Sequence, residues 1–337
     1  MTSAVFVSHA DSGELRVFAL DDATGALSPI QQVAVGGMLM PMALSPDRRR
    51  LYVARRSEPL AVAAFAIDPA DGRLTALGEA ALPHSMAYIA TDRSGRNLLS
   101  ASYGGHLIAV SPIGADGVPG PARQVLPTGP NAHCIQADPA NRNVYATSLG
   151  GGVLVHWRFD PASGDLAEAE PNVLRLHAGS GPRHFVWDAQ GRIMYLLGEL
   201  DGSVSRLGVD PESGRASVLD TISALPPGFA GEAWAADLRL TPDGRFLYAS
   251  ERKSSTLALF HVDPASGKLT AAGHVRTESQ PRGFAIDPSG RFLVAAGQAS
   301  NRIAVYTIAA DSGALAPCGA TPVGQGPNWV EIVRLES

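Results

Sequence analysis

Short apolar runs set between turn residues recur from one end of the chain to the other. They are rich in Val, Ile, Leu and aromatic residues, and no stretch holds the 3.6-residue period of an amphipathic helix. One repeated unit is a turn carrying an arginine, followed by an apolar strand. Near the start it is Pro46-Asp47-Arg48-Arg49-Arg50-Leu51-Tyr52-Val53, and later Gly244-Arg245-Phe246-Leu247-Tyr248. Its arginines are Arg49, Arg96, Arg142, Arg192, Arg245 and Arg291, at intervals of 47, 46, 50, 53 and 46 residues.

A second unit is a hairpin turn, often Asp-Pro-Ala-Ser-Gly as at 160–164 and 263–267. Its glycines are Gly25, Gly72, Gly117, Gly164, Gly214, Gly267 and Gly313. Asp and Ser favour the turn, and Gly supplies the positive φ. Each period therefore predicts four strands. In the sixth these are Gly283–Ile286, Phe292–Ala295, Ile303–Thr307 and Leu315–Cys318. Four strands in about 45 residues make a propeller blade.

The arginine turn has six copies and the hairpin glycine seven, and the two ends of the chain explain the difference. Val5-Phe6-Val7 is a second strand without a first. Trp329-Val330-Glu331-Ile332-Val333 is a first strand without a second. Pairing them completes a seventh blade and removes an open edge. The expected fold is all-β: a single domain over residues 1–337, a seven-bladed β-propeller with four antiparallel strands per blade.

Composition changes this picture little. The 337 residues are 45% hydrophobic and 18% charged, with a net charge of −5. That balance argues against a nucleic-acid surface, and any anionic ligand needs a local basic pocket. No long apolar run predicts a membrane span. Met1 to Ala10 has no signal-peptide pattern, so a cytoplasmic location is expected. Cys134 and Cys318 have neither metal nor disulfide spacing, and nothing calls for a cofactor. The expected assembly is a monomer or weak homo-oligomer.

The arginine turns and hairpin turns fall on one face of a propeller, and their repetition marks them as structural. The opposite face varies from blade to blade, which is where binding groups are placed. Nine residues before each repeat arginine, leading into the first strand, stand Met40, His133, Arg183, Ala236 and Arg282. The second blade has a longer turn and places Ser85 nearby, after His84. Seven residues after each arginine, trailing the second strand, stand Arg56, Tyr103, Leu149, Glu199, Arg252 and Gln298. His133, Arg183, Arg282, Glu199 and Arg252 should therefore converge at one end of the central channel. Clustered arginines without matching carboxylates call for a bound anion. His133 suits a general base. Asp237 is expected either to orient an arginine or to act as a further carboxylate. Strand alternation turns His184 away from Arg183, and Cys134 away from His133 into the core.

At these residues the chain resembles the propeller-type bacterial 6-phosphogluconolactonases, relatives of fungal carboxymuconate cyclases. The resemblance is carried by Pro41-Met42 ahead of Leu44-Ser45-Pro46-Asp47, Gly181-Pro182-Arg183-His184 and Gly198-Glu199-Leu200. Trp234-Ala235-Ala236-Asp237 with Thr241-Pro242-Asp243-Gly244-Arg245, Gln280-Pro281-Arg282-Gly283-Phe284, Ala296-Gly297-Gln298 and Gly324-Gln325-Gly326-Pro327-Asn328-Trp329 complete it. It implies hydrolysis of a small anionic sugar-phosphate lactone, with His133, Glu199 and Arg183 catalytic. Arg282 is likewise carried over, to bind the phosphate together with Arg252. Arg252, Gln298 and Tyr103 come from their repeat positions and Asp237 from its place at a strand start, and with Arg282 they make up the expected binding set. His133 would activate water with Glu199 orienting or sharing the proton, and no metal is required. Two other functions fit the same pattern: a muconolactone-type cycloisomerase acting on a carboxylate, and a non-catalytic binding platform.

Overall fold

The computed structural model describes residues 2–336. They form seven four-stranded antiparallel sheets, and strand is the only regular element of length among them. Blades 1 to 6 follow the chain, each running from the channel outwards. Their innermost strands are Leu39–Leu44, Tyr88–Thr91, Ala132–Ala137, Pro182–Trp187, Ala235–Leu240 and Pro281–Ile286. Blade 7 takes its innermost strand, Pro327–Arg334, from one end of the chain and Thr2–His9, Glu14–Asp21 and Leu27–Ala34 from the other. The expected closure is therefore present, with Phe6 opposite Glu331 and Ser8 opposite Trp329. Asn328 is fully buried at this seam. Its amide donates to Ser8 O at 3.3 Å and across to Leu39 O of blade 1 at 3.0 Å.

The burial gradient follows from the architecture. Inner strands are enclosed between neighbouring blades and the channel, so Leu39–Leu44 is buried throughout. The outermost strand of blade 6, Leu315–Pro322, is mostly exposed. Both kinds of turn lie on one face, as expected, and they bind the blades together. Tyr145, Tyr195 and Tyr248 each donate a hydroxyl hydrogen bond, 2.5–2.6 Å long, to the hairpin glycine carbonyl of the next blade: Gly214, Gly267 and Gly313. Those glycines serve two ends. At φ of about +70° Gly214 adopts a conformation that side chains disfavour, and a Cβ there would collide with Asn143 of the preceding blade.

Burial also sets a pH dependence. His9 and His156 are 0% and 6% exposed, and burial pushes both imidazoles down to about 4. As pH falls below about 6.5 the unfolded chain takes up protons that the folded chain refuses. Stability is then full above pH 6.5 and declines toward pH 4. Chemical denaturation at pH 7.5 and pH 5 should show a loss on the order of a few kcal/mol at the lower pH. His156→Gln, which can still reach Asn143, should shrink that difference. Equal stability at the two pH values would contradict this account.

Candidate active site

Five innermost strands depart from regular pairing at their channel-mouth ends. The register shifts between Leu39 and Met42, Ala132 and Ile135, Pro182 and Phe185, Ala235 and Leu238, and Pro281 and Gly283. The leading positions Met40, His133, Arg183, Ala236 and Arg282 all fall inside these bulges. A bulge re-aims side chains that strict alternation would separate. This corrects the expectation for His184. Its ring does not turn away from the site but lies 5.1 Å from the His133 ring, centroid to centroid.

Four arginines from blades 1, 4, 5 and 6 share the mouth: Arg56, Arg183, Arg252 and Arg282. Arg183 and Arg252 are 1% and 2% exposed. Arg183 Nε lies 2.6 Å from Glu199 Oε2, an ionic contact without a directed N–H hydrogen bond. A terminal nitrogen of Arg183 donates to Ala236 O and sits 3.2–3.3 Å from both ring nitrogens of His184. Arg252 reaches the same Glu199 oxygen at 3.2 Å and donates to Trp234 O at 2.9 Å and Ala235 O at 3.1 Å. Its guanidinium also covers the Trp234 ring at 3.8 Å. Burial first, then the charge of Arg183, push Arg252 down to about 9.

Arg282 differs from these two. It is half-buried, and among the described residues it has no hydrogen bond or ion pair. Burial and the charges of Arg183, Arg252 and Arg56 push its guanidinium well below the usual range, with only Glu199 opposing them. A guanidinium keeps its proton in a protein, so this crowding is relieved by an anion instead.

Glu199 is fixed on three sides, because Trp234 Nε1 donates to its other oxygen at 3.2 Å. No hydrogen bond joins it to His133 among the described residues. The expectation that Glu199 orients His133 is replaced by a different arrangement, in which Glu199 gathers Arg183 and Arg252. His133 is 4% exposed, its Nδ1 is enclosed without a partner, and its ring meets Tyr103 edge-on at 5.9 Å. Burial, then Arg183, hold its imidazole well below 6.5, so it is neutral at physiological pH. Tyr103 is 37% exposed, which places it at the rim.

Beneath His133 lies a chain of paired groups. His184 Nδ1 stands 2.9 Å from Asp237 Oδ1, and Asp237 Oδ2 stands 3.1 Å from Arg239. Asp237 is 1% exposed, with burial raising its carboxyl against the pull of Arg239. Its two oxygens are engaged by His184 and by Arg239, so in this structure it pairs with an arginine and supports His184 rather than presenting a free carboxylate. Tyr88, His184 and Trp329 meet one another at 5.1–5.7 Å across the channel axis and separate the mouth from a lower cavity of about 280 Å³. Gln298 trails its strand as expected, pairing its backbone N–H with Gln280 O, but its side chain makes no hydrogen bond among the described residues. Cys134 is buried and its thiol is pushed up to about 12 by burial, so it is packing rather than a nucleophile.

A cleft of about 1060 Å³ lies on the turn face beside Thr241, Arg245 and His261, away from these arginines. Chemistry rather than size locates the site. Among the described residues no three His, Cys, Asp or Glu side chains stand together as a metal would require.

Trp234 and His184 are the two functional neighbours that alternation and repeat counting did not place. A signal for Trp234 exists in the interval of 53 residues between Arg192 and Arg245, which marks an insertion ahead of blade 5.

Residues 4–332 match the family described as lactonase, 7-bladed beta-propeller. The chain is 41% identical to the 6-phosphogluconolactonase of Pectobacterium carotovorum, covering 100% of both. It is 38% identical to that of Serratia proteamaculans, covering 99% of both. The fold of the Pseudomonas aeruginosa periplasmic gluconolactonase PpgL superimposes with a TM-score of 0.91 at 29% identity, over 99% of each chain. With the blades, the arginine mouth and these full-length matches in agreement, the chain belongs to the lactonase family of seven-bladed β-propellers.

Proposed function

We propose that the protein hydrolyses 6-phospho-D-glucono-1,5-lactone to 6-phosphogluconate. The observation that carries this reading is the pairing of a neutral, enclosed His133 with arginines that outnumber the carboxylates around them. Water attacks the lactone carbonyl carbon while a ring nitrogen of His133 takes its proton. The tetrahedral intermediate collapses with loss of the C1–O5 bond, and His133 returns that proton to O5. The new carboxylic acid releases its own proton to solvent. Arg183 exerts the strongest charge on His133 and is the group suited to the developing oxyanion. Arg282, which forms no ion pair among the described residues, takes the phosphate. Arg252 spends its donors on Glu199, Trp234 and Ala235, so it shapes the site rather than gripping the substrate.

Relatives named 6-phosphogluconolactonase favour this over a cycloisomerase. The test is formation of 6-phosphogluconate from fresh lactone, corrected for spontaneous hydrolysis, beside carboxymuconolactone at equal concentration. Turnover of the phosphorylated lactone at least about 100-fold above the carboxylate is expected, because two charge-assisted contacts to phosphate are at stake. The reverse preference would overturn the reading.

A further inference from the structure

The mouth holds more positive charge than the proposed reaction has so far used. Four arginines share the mouth; Glu199 acts on Arg183, Arg252 and Arg282, and Glu251 acts on Arg252. Four cations less two carboxylates leave two charges uncompensated. Arg183 and Arg252 are tied to Glu199, so the surplus rests on Arg282 and Arg56.

Arg56 follows strand Arg50–Arg55 of blade 1, and its backbone N–H is held by Met38 O at 2.8 Å. Its side chain is half-buried and fixed by neutral groups. Nε donates to Ser85 Oγ at 3.2 Å, and a terminal nitrogen lies 3.0 Å from Met40 Sδ. A thioether is a weak acceptor, and Arg56 has no carboxylate partner among the described residues. A guanidinium carries five N–H groups, so most of its donors remain free. Met40 lies in the mouth-end bulge of blade 1, so its contact puts the Arg56 guanidinium at the mouth, near enough to Arg183 and Arg282 for their charges to act on one another. Blades 6 and 1 flank blade 7, so Arg282 and Arg56 approach from one sector of the rim.

We infer that Arg56 is a specificity-determining residue that engages the phosphate together with Arg282 and discriminates phosphorylated from unphosphorylated lactones. A single arginine matches a monoanion such as a carboxylate. Two arginines without carboxylates match a dianion, and a lactone lacking the phosphate gains nothing from the second. This inference rests on the lactonase reading above.

The test compares wild type, Arg56→Met and Arg56→Lys. Catalytic efficiency is measured on 6-phosphogluconolactone and on glucono-1,5-lactone, and inorganic phosphate binding is measured by calorimetry. Arg56→Met should lower the ratio of kcat/KM, phosphorylated over unphosphorylated, by about 10- to 100-fold, chiefly through KM. Phosphate affinity should fall in parallel. Arg56→Lys keeps the charge without the planar fork and should recover part of both. Equal losses on the two lactones, or undiminished phosphate binding, would overturn the inference. A wild-type protein that hydrolyses neither lactone sinks the lactonase reading by itself, and the phosphate titration still decides the role of Arg56.

Discussion

His133→Ala should lower kcat for the phosphorylated lactone by about 10²- to 10⁴-fold, the usual share of a positioned general base, with KM changed only a few-fold. The separation of effects follows from the geometry. His133 makes no hydrogen bond among the described residues, and the anion is gripped by arginines from other blades. The wild-type pH profile carries a second part of the expectation. Burial and the cluster of positive charge hold His133 well below 6.5, so it stays neutral and competent as pH falls through 6.5. The acid limb of kcat/KM should therefore lie well below pH 6.5. Binding of the phosphate dianion offsets the arginine charges and raises the basicity of His133. The limb in kcat should then sit at higher pH than the limb in kcat/KM, since the first reports the complex and the second the free enzyme. His133→Ala should flatten both limbs. Unchanged turnover in this variant, at constant fold by circular dichroism, would remove His133 from the reaction.

The seven blades were legible because their turns repeat for physical reasons. Each hairpin glycine, Gly214 and Gly267 among them, both needs positive φ and faces the second strand of the preceding blade, so it recurs. Closure was legible because Val5-Phe6-Val7 and Trp329-Val330-Glu331-Ile332-Val333 supply complementary missing strands. Counting from the repeat arginines found His133, Arg183, Arg282, Glu199 and Arg252 because leading and trailing positions are equivalent around the ring. The relation between neighbours at those positions was not legible. Alternation puts Arg183 and His184 on opposite sides of a regular strand, but the bulge between Pro182 and Phe185 brings both to the channel. The same insertion beside Asp237 carries its carboxylate under the His184 ring of the adjacent blade. Such contacts cross blades, and no spacing along one strand encodes them. Arg56 illustrates a third case. Repeat counting gave its position, but its importance emerges only from which arginines have carboxylates and which do not.

Glu199→Gln should separate stability, affinity and turnover in a way that no single structural defect would. In phosphate-free buffer the variant should be less stable than wild type by roughly 3 kcal/mol, because Arg183 and Arg252 lose the buried carboxylate they share. Anion affinity should move in the opposite direction. With one negative charge removed from the mouth, inorganic phosphate should bind roughly tenfold more tightly. Added phosphate should then stabilise the variant more than wild type, narrowing the difference in melting temperature as its concentration rises. Turnover should nevertheless fall by about 10²-fold. Arg183 loses the contact that sets its orientation beside His133, and tighter binding of the phosphorylated product slows its release. Trp234 Nε1 can still donate to the glutamine oxygen, so the loop before blade 5 should keep its place. The decisive comparison is calorimetric binding of phosphate alongside single-turnover hydrolysis. A variant that binds phosphate no more tightly than wild type would show that Glu199 does not limit the charge of the site. A variant that binds more tightly and retains full turnover would show that the arginines are oriented by their backbone and ring contacts alone.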